Sequence, residues 1–243
     1  MLELNKIYNM DCIVGMQQIP DKSIDMILCD LPYGTTQCKW DIVIPFDQLW
    51  TQYNRIIKDN GAILLFGTEP FSSHLRLSNI KIYKYDWVWD KVKGTGFLNA
   101  NRQPMRNHEF VHVFYKKQPT YNPQKTSGHK LKQTFRKNDQ QTDVYGLMGG
   151  NSYSSTERYP RSIQAFSTDT QKSNIHPTQK PVALIEYLIK TYTNEGDLVF
   201  DGCSGSGTTA VAAINTNRKF LCMEKEKEYF DKSVERVTKA GDS

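Results

Sequence analysis

Residues 23–29, SIDMILC, make a short apolar run that ends on Asp30, and residues 62–66, AILLF, make a second that ends on Gly67. Runs this short and this uniformly apolar predict buried strands. Between them Phe46, Leu49, Trp50, Tyr53, Ile56 and Ile57 recur at helical spacing, and Asn60-Gly61 is expected to end that helix. Residues 85–90 (YDWVWD) and 110–115 (FVHVFY) predict two further strands. From 116 to 174 the pattern lapses. Gln, Thr, Ser, Asn and Lys dominate, aliphatic residues are few, and no strong period emerges.

Regular patterning resumes at Pro177, where Thr178 can cap a helix whose apolar face is Val182, Ile185, Leu188, Ile189 and Tyr192. Gly196-Asp197 then turns into a strand over 198–201. A glycine-rich loop, a helix over 208–215, a strand over 220–223 ending at Glu224, and a last helix carrying Tyr229, Phe230, Val234 and Val237 follow. Strands alternating with helices imply an α/β fold, a mainly parallel sheet with helices on both faces. Residues 1–115 and 175–243 then form one domain, and 116–174 an insertion or lobe outside its sheet.

Bulk properties narrow the field without deciding it. The 243 residues suit one α/β domain with a sizeable insertion, and a formal net charge of +5 is compatible with a polyanionic partner. Five cysteines with no CxxC pair argue against a zinc site or a disulfide framework and point to a reducing cytoplasm. The opening MLELNKIYNMDC has no apolar signal core, and no stretch is apolar for long enough to span a bilayer. His74, His108, His112, His129 and His176 show no metal-ligand spacing, so no metal is expected.

The segment LVFDGCSGSGTTA reads as strand, turn and helix start. Gly205-x-Gly207-x-x-Ala210 fits a dinucleotide-type fingerprint, in which glycines let the backbone approach a ligand and a helix N-terminus offers free N–H groups. Glu224, at the end of the next strand, can accept the two ribose hydroxyls of an adenosine ligand. A phosphate loop is disfavoured, because Thr208 stands where that motif needs lysine. A nicotinamide fold is disfavoured too, since only one clear strand follows the loop. A tight turn without a ligand remains the bland alternative.

Asp30-Leu31-Pro32-Tyr33 falls just beyond a predicted strand, where side chains meet the crevice at the strand ends. Here the sequence resembles a known family. The tetrapeptide is similar to the catalytic Asp-Pro-Pro-Tyr of amino-methylating DNA methyltransferases. Asp201 to Thr209 resembles their S-adenosylmethionine (SAM) loop, and His176-Pro177-Thr178-Gln179-Lys180-Pro181 the segment before it. The catalytic loop precedes the variable region, and the SAM loop comes last, which is the permuted order of the β group. The segment 94–109 further resembles phage and prophage members. Leu31 replaces the usual first proline, and Gly202-Cys203 replaces the more common Pro-Phe.

The resemblance implies a Rossmann-like SAM-methyltransferase fold and methyl transfer to the exocyclic amine of a flipped base in double-stranded DNA, adenine N6 first and cytosine N4 second. RNA or protein methylation, or SAM binding without turnover, are the more distant readings. Asp30 and the Leu31 carbonyl would accept the amino hydrogens, aimed by Pro32, and Tyr33 would stack on the base. Asp201, Gly202, Cys203, Ser204, Gly205, Ser206, Gly207, Thr208 and Thr209 would form the SAM loop, with Glu224 on the ribose. Asp11, beside Cys12, would meet the adenine, and Thr178 and Lys180 the SAM carboxylate. Residues 116–174, with Lys116, Lys117, Lys125, Lys130, Lys132, Arg136 and Lys137, would recognise the target, helped by Arg102, Arg106 and Asn107. Many related enzymes pair as homodimers, though no interface signature stands in this sequence. A bacterial or phage-encoded enzyme of a restriction-modification system fits, with its restriction partner unspecified.

Overall fold

The structure, a computed structural model, describes residues 2–38, 40–136, 140–142, 146–148, 151–168 and 179–241. It divides into two compact units, one made of Met1–Asn122 with Ser162–Ser243 and the other of Pro123–Arg161. The chain enters the first unit as β1 (Lys6–Asn9), α1 (Cys12–Met16), β2 (Ile24–Cys29), α2 (Phe46–Ile56), β3 (Ile57–Gly67), α3 (Phe71–Ser78), β4 (Tyr83–Thr95) and β5 (Arg106–Phe114). The second unit holds β6 (Lys132–Arg136), β7 (Gln140–Thr142), β8 (Gly146–Met148) and β9 (Asn151–Ser155). Back in the first unit come β10 (Ile163–Ala165), α4 (Val182–Tyr192), β11 (Leu198–Asp201), α5 (Thr208–Asn215), β12 (Lys219–Glu224) and α6 (Lys227–Gly241).

Eight strands form the main sheet in the order β1-β12-β11-β2-β3-β5-β4-β10. Every pairing is parallel except those of β5 with β3 and β4. The alternation of side chains along each strand sorts the core. Met26, Leu28, Leu64 and Phe66 face one layer with Leu184, Ile185, Leu188 and Ile189 of α4, while Ile27, Cys29, Ile63 and Leu65 face the other with Leu49, Trp50 and Tyr53 of α2. The four α4 residues are 2% exposed or less, and each contributes about 1.5–3 kcal/mol of burial. The chain winds outward from β2 in one direction and from β11 in the other. Their junction is the switch point of the sheet, so the crevice opens beyond Cys29 and Asp201.

The patterned segments form where expected, with three corrections. Asn60-Gly61 does not terminate a helix. The strand starts at Ile57, directly after α2, and the register shifts between Ile24↔Ile57 and Met26↔Ala62. Gly61 serves the close approach there, since a Cβ on it would stand 2.8 Å from the Asp25 carbonyl oxygen. The helix after Pro177 begins at Val182 with Pro181 at its N-cap and no side-chain cap, and Thr178 lies outside the described residues. The lobe is also narrower than 116–174. Residues 116–122 and 162–168 belong to the first unit, and β10 pairs in parallel with β4. Within the second unit β6 pairs with β9 and β7 with β8, both antiparallel.

Candidate active site

One cavity of about 850 Å³ lies at the carboxyl ends of the strands, large enough for a ligand of considerable size. Its lining brings together Asp30, Leu31, Pro32 and Tyr33, the loop Asp201–Ser206 with Thr208 and Thr209, and Asp11, Cys12, Lys180 and Glu224. Of the expected site residues, Gly207 is not in the lining and Thr178 is not described. Gly207 instead opens α5 at φ +74°, where a Cβ would sit 3.1 Å from Ser233 Cβ.

Asp30 stands at the centre of a chain of charges. Tyr33 donates its hydroxyl to Asp30 Oδ1 at 2.6 Å, and Lys180 Nζ donates to Asp30 Oδ2 at 2.5 Å. Lys180 also pairs with Glu109 Oε2 at 3.4 Å, and Lys91 pairs with Glu109 Oε1. Asp30 lies deep among protein atoms, yet a quarter of its side chain remains accessible because the cavity reaches it. Burial pushes its carboxyl above the ordinary value. The Lys180 charge offsets this only in part, and Glu109 adds to the rise. Glu109 ends below its ordinary value, because Lys180 and Lys91 outweigh its burial. Burial works against the Lys180 ammonium, but Asp30 and Glu109 more than restore it.

Lys180 engages the Asp30–Tyr33 loop: its ammonium is held by two carboxylates and lies 5.1 Å from the Phe66 ring centroid. The Tyr33 ring stacks on Phe71 at 4.9 Å, so the protein covers part of it. Leu31 is 4% exposed, its side chain in the core. The loop that follows is tied by Asp41, which accepts from the N–H groups of Gly34, Thr35 and Thr36 at 2.8, 2.9 and 2.7 Å.

The glycine loop is organised by acids on either side of it. Asp201 accepts from Thr209 Oγ1 at 2.6 Å and from Cys203 N at 3.0 Å, and burial pushes its carboxyl up to about 6. Glu224 accepts from Gly205 N and from Glu226 N, both at 2.8 Å. Glu224 lines the cavity while it makes these bonds. Ser204 Oγ is buried with no hydrogen-bond partner among the described residues, and Ser204 lines the cavity. An orphaned hydroxyl at a glycine loop fits a polar ligand. Arg236 of α6 engages Ser206 and Thr208 from the side. The unusual Gly202-Cys203 pair has a local reason. A Cβ on Gly202 would crowd Cys12 Cβ at 3.1 Å, and the Cys203 thiol reaches those of Cys12 and Cys29.

Asp11 caps α1 through Ile13 N at 2.9 Å and pairs with Lys225 at 3.5 Å, while still lining the cavity. Sequence reasoning missed Glu109 and Lys91 as site residues. The signal in the sequence is that Lys91 ends the Tyr85, Trp87, Trp89 alternation of β4 and Glu109 precedes Val111 and Val113 on one face of β5. Of the expected DNA-facing cations, Lys125 is paired with Glu157 in the second unit, and Lys116 and Lys117 belong to the first.

The chain is similar to known proteins over nearly its whole length. A family model of the N6/N4 type, described as DNA methylase, matches residues 24–235. The type II methyltransferase M1.MboII of Moraxella bovis is 28% identical, over 96% of this chain and 96% of its own. The DNA adenine methyltransferase YhdJ of Escherichia coli (strain K12) is 26% identical, over 97% of this chain and 83% of its own. The crystal structure of an M1.HpyAVI–SAM complex superposes with a TM-score of 0.65 at 25% identity, covering 95% of this chain and 98% of that one.

Proposed function

The chain belongs to the N6/N4 family of DNA methylases, and from that premise we propose that it transfers the methyl group of SAM to the N6 amino group of adenine in double-stranded DNA. The observation that carries this reading is a single cavity lined by Asp30-Leu31-Pro32-Tyr33, by Asp201–Ser206 with Thr208 and Thr209, and by Glu224. The adenine assignment is supported by YhdJ, whose name specifies that base, and cytosine N4 is the alternative within the same family.

SAM supplies an electrophilic methyl group, and the chain's own residues do the rest. Asp201, Ser204, Gly205 and Glu224 would hold the cofactor, with Asp11 at the rim. The target base must leave the duplex stack to reach the crevice, which costs a few kcal/mol. Asp30 then accepts one amino hydrogen and the Leu31 carbonyl the other, which frees the nitrogen lone pair for in-line attack. The Asp30 carboxylate would also stabilise positive charge as it develops on that nitrogen, whose surplus proton leaves to solvent after the transfer. Lys180 and Tyr33 hold Asp30 in one orientation, and Glu109 balances the Lys180 charge beside the reacting amine. We assign target recognition to the second unit, Pro123–Arg161, and the free cysteines fit a reducing cytoplasm.

The test is product identification. Purified protein, SAM and mixed-sequence duplex DNA are incubated, and the DNA is digested to nucleosides for mass spectrometry, with Asp30→Ala alongside. N6-methyladenine that disappears in the variant is the expected result. N4-methylcytosine would overturn the base assignment while keeping the mechanism. Transfer undiminished in Asp30→Ala would overturn the assigned catalytic loop.

A further inference from the structure

The hairpin of β4 and β5 does more than wall the cavity. Near the cavity its strands fall out of register. Asp90 faces His108 and Thr95 faces Arg106, so Lys91, Val92, Lys93 and Gly94 stand opposite Asn107 alone. Val92 takes φ +67°, a left-handed conformation that a β-branched residue adopts only under constraint, and a Cβ on Gly94 would sit 3.1 Å from Met105 Cβ. A bulge of this kind bends a hairpin and aims what lies beyond it.

Beyond it lies a compact tip. Gly96 turns the chain at φ +89°, and Phe97–Asn99 make a single 3₁₀ turn. The turn is closed by hydrogen bonds from Asn99 N to Gly96 O, from Ala100 N to Phe97 O and from Arg102 N to Asn99 O, all 2.9–3.0 Å. This self-bonded turn holds two large apolar side chains out in solvent. Phe97 is 77% exposed and Leu98 97%. Lys93, Arg102 and Arg106 flank them, all exposed, and no acidic residue occurs between Asp90 and Glu109. The same hairpin contributes Trp89, Lys91, Thr95 and Glu109 to the cavity lining, so the tip stands at the cavity rim.

We propose that Phe97 and Leu98 form a wedge that enters the duplex where the target base has left it. The inference rests on the DNA-methylase reading and specifies how the substrate is opened. Cations without acidic neighbours match phosphates on either side of the gap. An apolar pair presented by a turn that bonds to itself matches the unstacked faces of the neighbouring bases. The wedge replaces the stacking lost on extrusion, so it matters only while the base must be pulled from an intact stack.

The experiment uses single-turnover methyl transfer on two duplexes that carry the recognition site, located first by mapping methylated bases in DNA treated with the enzyme. One duplex is intact. In the other, the base opposite the target is replaced by an abasic residue, which leaves the target already loosened. Phe97→Ala/Leu98→Ala is expected to lose at least about tenfold in rate on the intact duplex, and to stay within about twofold of wild type on the abasic one. Its SAM affinity is expected to be unchanged, and Phe97→Trp/Leu98→Met to restore the intact-duplex rate. Full activity of the alanine variant on the intact duplex overturns the wedge, as does an equal loss on both duplexes. A wild-type dimer that the variant converts to monomer, with both duplexes affected alike, would make the tip a contact between copies instead. Absence of wild-type transfer to either duplex would remove the underlying reading, and the wedge with it. That outcome is distinct from the wedge failing in an active enzyme.

Discussion

Two buried polar networks run through the same pair of strands, and only one belongs to the candidate active site. On the α4 face of the sheet, Lys91 of β4 and Glu109 of β5 meet Lys180 and Asp30. On the α3 face, Asp86 of β4 and His112 of β5 meet Ser72, with His112 Nδ1 2.6 Å from Asp86 Oδ1 and His112 Nε2 2.8 Å from Ser72 Oγ. Glu109 and His112 are three residues apart, so strand alternation sends them to opposite faces. The second network has the atom order of a nucleophile, base and carboxylate, yet Ser72 and His112 are 0% exposed and none of the three lines the cavity. Arg76 takes the other Asp86 oxygen at 3.0 Å. The α3 network is paired and lies outside the cavity lining, whereas Asp30, Lys91, Glu109 and Lys180 of the α4 network all line the cavity. A triad-like order of residues does not make a site; access to the cavity does.

Asp30→Ala should give the largest contrast. It removes an acceptor aimed at charge that develops only in the transition state, so methyl transfer should fall by about a thousandfold. The melting temperature should stay within about 5 °C of wild type, since the carboxyl removed is one that burial already disfavours. A variant that unfolds without a specific loss of rate would place Asp30 with the structural network.

His112→Ala should do the reverse. It deletes a fully buried ring and strands Asp86 and Ser72, at a cost of about 3 kcal/mol of folding stability by chemical denaturation. Its kcat per folded molecule should equal wild type. A drop in kcat at unchanged SAM affinity would show that the α3 network reaches the chemistry.

The sequence made the first network half visible and the second nearly invisible, for physical reasons. Asp30 and Asp201 end apolar runs, and a carboxylate at a strand's carboxyl end is conspicuous. Glu109 and His112 sit inside a β-branched and aromatic strand, where only the sheet neighbours decide whether a polar residue faces a cavity or a helix. Lys180 was legible as a site residue through its segment, but its partner was not, because Asp30 is distant in the chain. The fold itself was largely legible, because central parallel strands are apolar on both faces. The second unit was not, since KQTFR of β6 and NSYSS of β9 are held by backbone ladders without apolar alternation. The bulge at Gly61 read as a turn because an Asn-Gly pair carries that signal by itself.

Lys180→Met and Glu109→Gln sharpen the comparison through pH. Lys180 lowers the Asp30 carboxyl and Glu109 raises it. Without the Lys180 charge, Asp30 keeps its proton to higher pH, so the acid limb of the pH–rate profile should move up. Without the Glu109 charge the limb should move down. Rates on the plateau should fall by roughly tenfold in each, from misplacement of the Asp30 carboxylate. A merely structural role would change the plateau and leave both limbs where they were.

The smallest effect is the difference in how the two aspartates couple stability to pH, and its sign separates the networks without any assay of activity. Burial alone would raise the Asp86 carboxyl, but hydrogen bonding and charge from His112, joined by Tyr83 and Arg76, leave it below its ordinary 3.8. Asp86 therefore contributes stability that is fully present above pH 3.8 and is lost as pH falls through its lowered value. Asp30 has the opposite sign. Its folded carboxyl lies above 3.8, so the native state holds that proton longer than the unfolded chain does, and stability declines as pH rises from 3.8 through the raised value. Asp201, pushed up to about 6, adds to the same decline between 3.8 and 6. Urea denaturation across this range should show Asp86→Asn flattening the acid-side loss, and Asp30→Asn flattening the decline on the neutral side. If both substitutions flatten the same limb, the two networks are electrostatically alike, and the distinction between a sealed tie and a site poised for a ligand fails.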